Sequence, residues 1–218
     1  MSRPNPALSI AHSAAKTGAA TGPGVLPRRI EAVVVGASAG GVEALSVLLP
    51  ALVSEGRLAV FVVLHLPRDR RSLLSHIFRR ECTVPVQEAE DKQPVVPGTV
   101  YFAPPDYHLL IDTGPSLALS VDDPVNYSRP SIDVLFESAA DVYRERLMAI
   151  VLTGANQDGA LGLAAVQAAG GVTVVQDPAT AQSASMPRAA LERVAADFVL
   201  NLEQIAALLA SLHDGGEQ

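Results

Sequence analysis

The chain changes character at Glu31. Residues 1–29 are rich in Ala, Ser, Gly, Pro and Thr and show no hydrophobic period, which predicts a mostly disordered leader. Ala32-Val33-Val34-Val35 is then a continuous apolar run closed by Gly36, the pattern of a strand buried on both faces of a parallel sheet. Over residues 41–53 apolar positions recur at helical spacing, with Val42, Leu45, Leu48, Leu49 and Leu52 on one side. A second buried run at 58–64 leads through Pro67 to a helix expected over 70–81.

Residues 84–121 follow another rhythm. Short β-prone runs at 100–103, 108–111 and 117–121 are separated by Pro104-Pro105-Asp106 and by Asp112-Thr113-Gly114-Pro115. That alternation predicts an antiparallel hairpin or meander inserted into a parallel framework. Helical spacing resumes at 131–145, after the breaker Arg129-Pro130 and with Ser131 placed to cap the helix. A buried strand at 147–152 ends in Thr153-Gly154. A helix at 159–169, a strand at 172–175, a short helix beginning near Pro187, a strand at 198–200 and a closing helix at 202–212 complete the pattern. Strands alternating with helices predict an α/β fold: a doubly wound, mostly parallel sheet with helices on both faces and an inserted antiparallel hairpin. One domain is expected over 30–213, followed by a flexible tail at 214–218.

Composition narrows this picture. With 218 residues, 49% hydrophobic, the chain can bury one sizeable core. Aromatics are only 4% and Trp is absent, so Val, Leu, Ile and Ala must fill that core. No apolar run approaches the roughly 18–20 residues of a membrane span, so a cytoplasmic protein that is not membrane-inserted is expected. The single cysteine, Cys82, cannot form an intramolecular disulfide and reads as incidental. Net charge is -7, and Arg3, Lys16, Arg28 and Arg29 stand in an acid-free start, so the remainder is more acidic still. Such a surface argues against nucleic acid as a partner. An acid-free start is also a trait of transit peptides, but a flexible tail is the simpler reading. Histidines stand at 12, 65, 76, 108 and 213 without metal-ligand spacing, so neither a metal nor a cofactor is expected.

In a doubly wound sheet, ligands collect beyond the carboxyl ends of the strands. Three such ends carry polar residues. Ser38 lies in Gly36-Ala37-Ser38-Ala39-Gly40-Gly41, between a strand and a helix start that offers free N–H groups to a developing anion. The segment fits neither a dinucleotide loop nor a P-loop, and it lacks the G-x-S-x-G elbow of common esterases. Ser38 could equally cap the helix. His65 directly follows the second buried strand, where a hydrogen-bonded structural histidine is the ordinary alternative. Asp158 follows Thr153-Gly154-Ala155-Asn156-Gln157 at a helix start, where a carboxylate is also ordinary capping. Together the three supply a nucleophile, a general base and a group to orient it, in the chain order Ser, His, Asp.

Several segments resemble the catalytic domain of the CheB chemotaxis methylesterase family. They are Val35-Gly36-Ala37-Ser38-Ala39-Gly40-Gly41-Val42-Glu43-Ala44-Leu45, His65-Leu66-Pro67, Val96-Pro97-Gly98, Ala103-Pro104-Pro105-Asp106 with His108, Arg129-Pro130-Ser131-Ile132-Asp133-Val134-Leu135-Phe136, Leu152-Thr153-Gly154 with Asp158-Gly159-Ala160, and Ser185-Met186-Pro187-Arg188-Ala189-Ala190. The motifs run in order from about residue 31 to 210. The resemblance implies hydrolysis of glutamyl methyl esters of methyl-accepting chemotaxis receptors, with related deamidation of receptor glutamines. It implies Ser38 as nucleophile, His65 as base and Asp158 as its orienting partner, with oxyanion donors that include backbone N–H groups near Ala155; those of Ala39 and Asn156, in the 36–41 turn and the 154–156 loop, are expected to join them.

Ala39 stands where the family often has a hydroxyl residue, Ala155 where it often has Met, and Ser128 where it often has His. The best-known members carry an N-terminal receiver domain over the active site. Residues 1–29 are too few for one, which implies either an open site or a regulatory partner in trans. Arg68, Arg70 and Arg71 could steer an acidic receptor segment or simply be solvated. Two other readings stay open: a non-catalytic signalling module of the same fold, and an esterase for a different ester.

Overall fold

The computed structural model describes residues 29–53, 58–66 and 73–212. The expected leader (all but Arg29), the tail at 214–218, Pro67, Arg68, Arg70, Arg71, His12 and His213 lie outside the described residues.

Seven strands form one sheet in the order β3 (Val86–Glu88), β4 (Val100–Phe102), β2 (Ala59–Leu64), β1 (Ala32–Ala37), β7 (Leu147–Val151), β8 (Val172–Gln176) and β9 (Phe198–Leu200), and every neighbouring pair is parallel. The chain enters at the centre with β1 (Ala32–Ala37), passes through α1 (Gly41–Leu48) and continues to β2 (Ala59–Leu64). It runs on through α2 (Leu74–Glu81) to the edge strand β3 (Val86–Glu88), and β4 (Val100–Phe102) then fills the place between β3 and β2. After the separate hairpin of β5 (His108–Asp112) and β6 (Ser116–Ser120), it crosses back by way of α3 (Ile132–Tyr143). The other half then grows through β7 (Leu147–Val151), α4 (Ala160–Ala168), β8 (Val172–Gln176), α5 (Ser185–Arg193), β9 (Phe198–Leu200) and α6 (Leu202–Ser211).

Alternate residues of the central strands feed two cores. Val33, Val35, Val60, Val62 and Leu64 pack with Leu45 and Leu48 of α1, Phe78 of α2 and Leu208 of α6. Val34, Phe61 and Val63 point the other way, onto Ile132 and Phe136 of α3, Val166 of α4 and Ala190 of α5. Both faces are therefore dry, which is why the strands read as unbroken apolar runs. The scarce aromatics gather at the β2–β4 side, where Phe61 stacks on Tyr101 and Phe78 on Phe102.

The doubly wound architecture agrees with expectation, and the inserted hairpin is β5–β6. The run at 100–103 does not belong to that hairpin. β4 is buried on both faces and lies parallel to β2 (Val60 opposite Val100) and to β3 (Val86 opposite Val100). A three-residue strand is too short to reveal which neighbour it has, so adjacency to the hairpin misled. β3 itself carries only one fully buried residue and gave no sequence signal. The helix expected over 41–53 ends at Leu48 and tightens into a 3-10 turn at Leu49–Ala51. Pro50 has no N–H to continue the helical ladder.

Two close approaches seat α3, one on the sheet and one on α4. A Cβ on Gly36 would lie 2.3 Å from Ile132 Cγ2, and one on Gly162 would lie 2.6 Å from Phe136 Cβ and 3.0 Å from the Asp133 backbone. Alanine normally gains about 1 kcal/mol over glycine inside a helix. In G162A the contact with backbone outweighs that gain, and an overpacking cost of about 1–3 kcal/mol leaves a net loss of up to about 2 kcal/mol in urea unfolding. A stabilised G162A would show that α3 and α4 are not packed this closely.

Candidate active site

The switch point of the sheet lies between β1 and β7, where successive connections leave in opposite directions. Crevices at such points take ligands, and the polar residues collect here. Ser38 follows β1, with its N–H donating to the Thr153 carbonyl at 2.9 Å. It does not cap α1. That position belongs to Gly40, in the left-handed region at φ 79°, and the half-buried Ser38 side chain stays outside the helix. His65 follows β2 one residue beyond the Ala37–Leu64 pair, and its N–H donates to the Ala37 carbonyl at 3.1 Å. Ser38 and His65 are thus cross-strand neighbours at the carboxyl edge, on strands about 4.8 Å apart.

The His65 imidazole presents Nε2 to Asp158 Oδ2 at 2.9 Å. Its Nδ1 faces the Asn156 amide at 3.4 Å. Among the described residues, no hydrogen bond joins Ser38 Oγ to His65. The structure therefore brings His65 and Asp158 into contact and leaves Ser38 beside them, unbonded. A loose nucleophile–base contact is common in ligand-free sites.

Asp158 is fully buried. Five donors converge on its carboxylate. Oδ2 takes His65 Nε2 and, at 2.7 Å, the Ile132 N–H. Oδ1 takes the Ser131 hydroxyl at 2.9 Å, the Asp133 N–H at 3.2 Å and the Asn126 amide at 3.2 Å. Burial alone would push the Asp158 pKa up; the bonds from His65, Ile132 and Asn126 prevail and hold it below the usual carboxylate value. Asp158 does not cap the helix that follows it. It caps α3 across the fold, while Gly159 stands at the N-cap of its own helix, α4.

Ser131 occupies the N-cap of α3 as expected, yet its side chain makes no capping bond and serves Asp158 instead. Its N–H donates to His108 Nδ1 at 3.2 Å, and His108 Nε2 lies 3.1 Å from the Asp123 carbonyl, so this buried histidine is a structural clamp. Arg129 fixes the same loop, donating to Asp106 and to the carbonyls of Val121 and Asp122.

Thr153 ties the serine loop in place. Its hydroxyl donates to the Ala39 carbonyl at 2.8 Å and accepts the Ser183 N–H at 2.9 Å, while the Gln176 side chain accepts its N–H. The N–H groups of Ser38, Gly41 and Gly154 are bonded within the protein. Among the described residues, those of Ala39, Ala155 and Asn156 donate to no protein acceptor. No three His, Cys, Asp or Glu side chains among the described residues converge as metal ligands. No described helix is long and apolar enough to cross a membrane.

Sequence reasoning missed Asn126, Asp133 and the tying role of Thr153. Asp133 in the first turn of a helix reads as ordinary dipole compensation, and its burial to 3% exposure is invisible in the sequence. Asn126 lies in a short polar stretch whose only signal is Val125-Asn126 ahead of Arg129-Pro130.

A parallel α/β sheet with a histidine–carboxylate pair and a serine at its switch point defines a protein of the serine-hydrolase type. The CheB methylesterase family profile matches residues 33–209, and the chain belongs to that family. A Leptospira interrogans relative is 45% identical over 182 residues, spanning 84% of this chain and 94% of its own length. Protein-glutamate methylesterase/protein-glutamine glutaminase 2 of Caulobacter vibrioides is 38% identical, and the chain spans 54% of that relative. The Thermotoga maritima CheB methylesterase catalytic domain superposes with a TM-score of 0.80 at 32% identity, covering 85% of this chain and all of that domain.

The two carboxylates of this region have opposite shifts. Burial, with the charges of Asp158 and Glu137, pushes Asp133 up to about 6, against the Gly162 and Asn126 hydrogen bonds. Its folded pKa lies above the unfolded value, so its contribution to stability is full below about pH 4 and is lost as pH rises through about 6. Asp158 has the reverse sign, and its contribution is lost only as pH falls through a folded value below 3.8. A carbon-13 titration of the Asp carboxyls should find one midpoint near 6 and one group still ionised at pH 3.8. If both carboxyls titrated near 3.8, the two environments would be wrongly described.

Proposed function

We propose that the chain hydrolyses glutamyl methyl esters of chemotaxis receptors to glutamate and methanol, with Ser38, His65 and Asp158 as its catalytic residues. The observation that carries this reading is the 2.9 Å bond from His65 to the buried Asp158, one strand away from Ser38. Membership of the family supports the substrate class. The paired designation of relatives such as the Caulobacter vibrioides protein supports glutamine deamidation as a companion reaction.

Asp158 holds Nε2, so Nδ1 is the nitrogen left to take the Ser38 proton. The ring is engaged the opposite way round from the chymotrypsin arrangement, where Nδ1 faces the carboxylate. Ser38 Oγ attacks the ester carbonyl and its proton passes to Nδ1. The oxyanion accepts hydrogen bonds from the free N–H groups of Ala39, Ala155 and Asn156, aided by the α1 N-terminus. Nδ1 returns the proton to the departing methoxide, releasing methanol. Water, deprotonated at the same nitrogen, then cleaves the acyl-enzyme and frees Ser38. With a glutamine substrate the leaving group is ammonia. Because the oxyanion donors are backbone groups, alanine at 39 and 155 leaves them in place.

The test is methanol release from methylated receptor. Ser38→Ala is expected to lower kcat by about 10⁴-fold or more with the fold intact. Undiminished release by that variant would eliminate this mechanism. Turnover of small esters with none of the methylated receptor would point instead to a different ester substrate.

A further inference from the structure

Two buried carboxylates lie side by side behind His65. Asp158 is fully buried and Asp133 is 3% exposed, and the Asp133 N–H itself donates to Asp158. Like charges this close in a dry site repel strongly, and one ordinarily keeps a proton. One group touches both. Asn126 Nδ2 lies 2.9 Å from Asp133 Oδ2 and 3.2 Å from Asp158 Oδ1, so its two N–H bonds go one to each carboxylate. The remaining Asp133 oxygen accepts the Gly162 N–H at 2.7 Å.

We propose that Asn126 is a positioning residue for the hydrolase: its bridging amide keeps Asp158 anionic toward His65 despite the neighbouring Asp133 carboxylate. The inference rests on the reading of His65 and Asp158 as base and orienting partner. The residue type fits the task. Asn126 and Tyr127 form a two-residue turn between Val125 and Ser128, with φ of 49° and 62°. Asparagine is among the few non-glycine residues that accept this left-handed backbone. Its side chain is short enough to fold inward from the turn, and it carries two donors. Aspartate would place a third acceptor against two others, and glycine would leave the pair unbridged.

The titratable groups facing the pair are few. His65 approaches Asp158 from the end of β2. Glu137, one turn along α3, raises Asp133 further. His108 stands behind Ser131 with both ring nitrogens engaged. α4, which packs on α3, carries no charged side chain over Ala160–Ala168. Among the described residues Asn126 therefore supplies the one uncharged side-chain bridge between the carboxylates, and deleting it should raise the proton affinity of the Asp158–Asp133 pair.

The experiment compares the pH dependence of kcat/KM for methanol release in wild type, N126G and the double variant N126G/D133N. Glycine keeps the positive φ, so only the side chain is lost. The acid limb of N126G is expected to move up by roughly one pH unit, with kcat falling more than KM changes. Replacing Asp133 by asparagine removes the repelling charge, and the double variant should return the limb most of the way to wild type. Loss of folding alone would lower activity at every pH and would not be rescued at position 133. An N126G limb coincident with wild type, or one shifted but unaltered by D133N, overturns the proposal. Wild type with no methanol release overturns the functional reading itself, and a carbon-13 titration of Asp158 in N126G then decides the positioning claim: a value unchanged from wild type ends it.

Discussion

Everything at the carboxyl edge depends on how a fully buried carboxylate is kept charged. An unpaired ion in such a place costs several kcal/mol even after relaxation. Asp158 meets that cost with donors from three separate stretches of chain: the end of β2, the turn at Asn126 and the first residues of α3. The same bonds supply the N-terminus of α3 with the acceptor its own Ser131 withholds. One side chain thus orients a histidine and terminates a helix. The close approach of Gly36 and Gly159 to Ile132, where a Cβ would come within 2.3 and 2.7 Å of the isoleucine, is what allows the helix end to sit so near.

The sheet supplies the rest of the geometry. Parallel strands in register bring Ser38, His65 and Thr153 to one edge without any of the three being adjacent in sequence. The reversal of strand order at β1 and β7 opens the crevice there. Around it the serine loop is held from one side by the Thr153 hydroxyl and from the other by the Ser38–Gly41 turn. Beside it, the N–H groups of Ala39 in the serine loop and of Ala155 and Asn156 after β7 donate to no acceptor among the described residues.

Much of this was legible from residues alone. Buried parallel strands announce themselves as Val-rich runs, so β1, β2, β7 and β8 were placed within a residue or two, and the polar residues at their ends were picked out. β4 is not recognisable in this way, because three apolar residues carry no record of their partner. Ser131 was expected to cap by residue type; that its hydroxyl turns to Asp158 follows from a tertiary contact no local rule contains. Asp133 and Asn126 were passed over for the same reason. A first-turn aspartate and an asparagine in a loop are ordinary in sequence, and only burial against a second carboxylate makes them otherwise.

The His65–Asp158 contact spans 93 residues of sequence, and the Ser131 and Asn126 bonds to Asp158 span 27 and 32. Contacts of such separation carry a loop-closure cost that must be met before they can contribute. Neither half of the sheet contains a complete site: β2 brings the histidine, and the crossover after β7 brings the carboxylate. Residues up to Leu66 carry Ser38 and His65, and residues from Asn126 to Asp158 carry the carboxylate and its remaining donors. Pairing of β1 with β2 on one side and β7 on the other is therefore what brings these residues to one crevice.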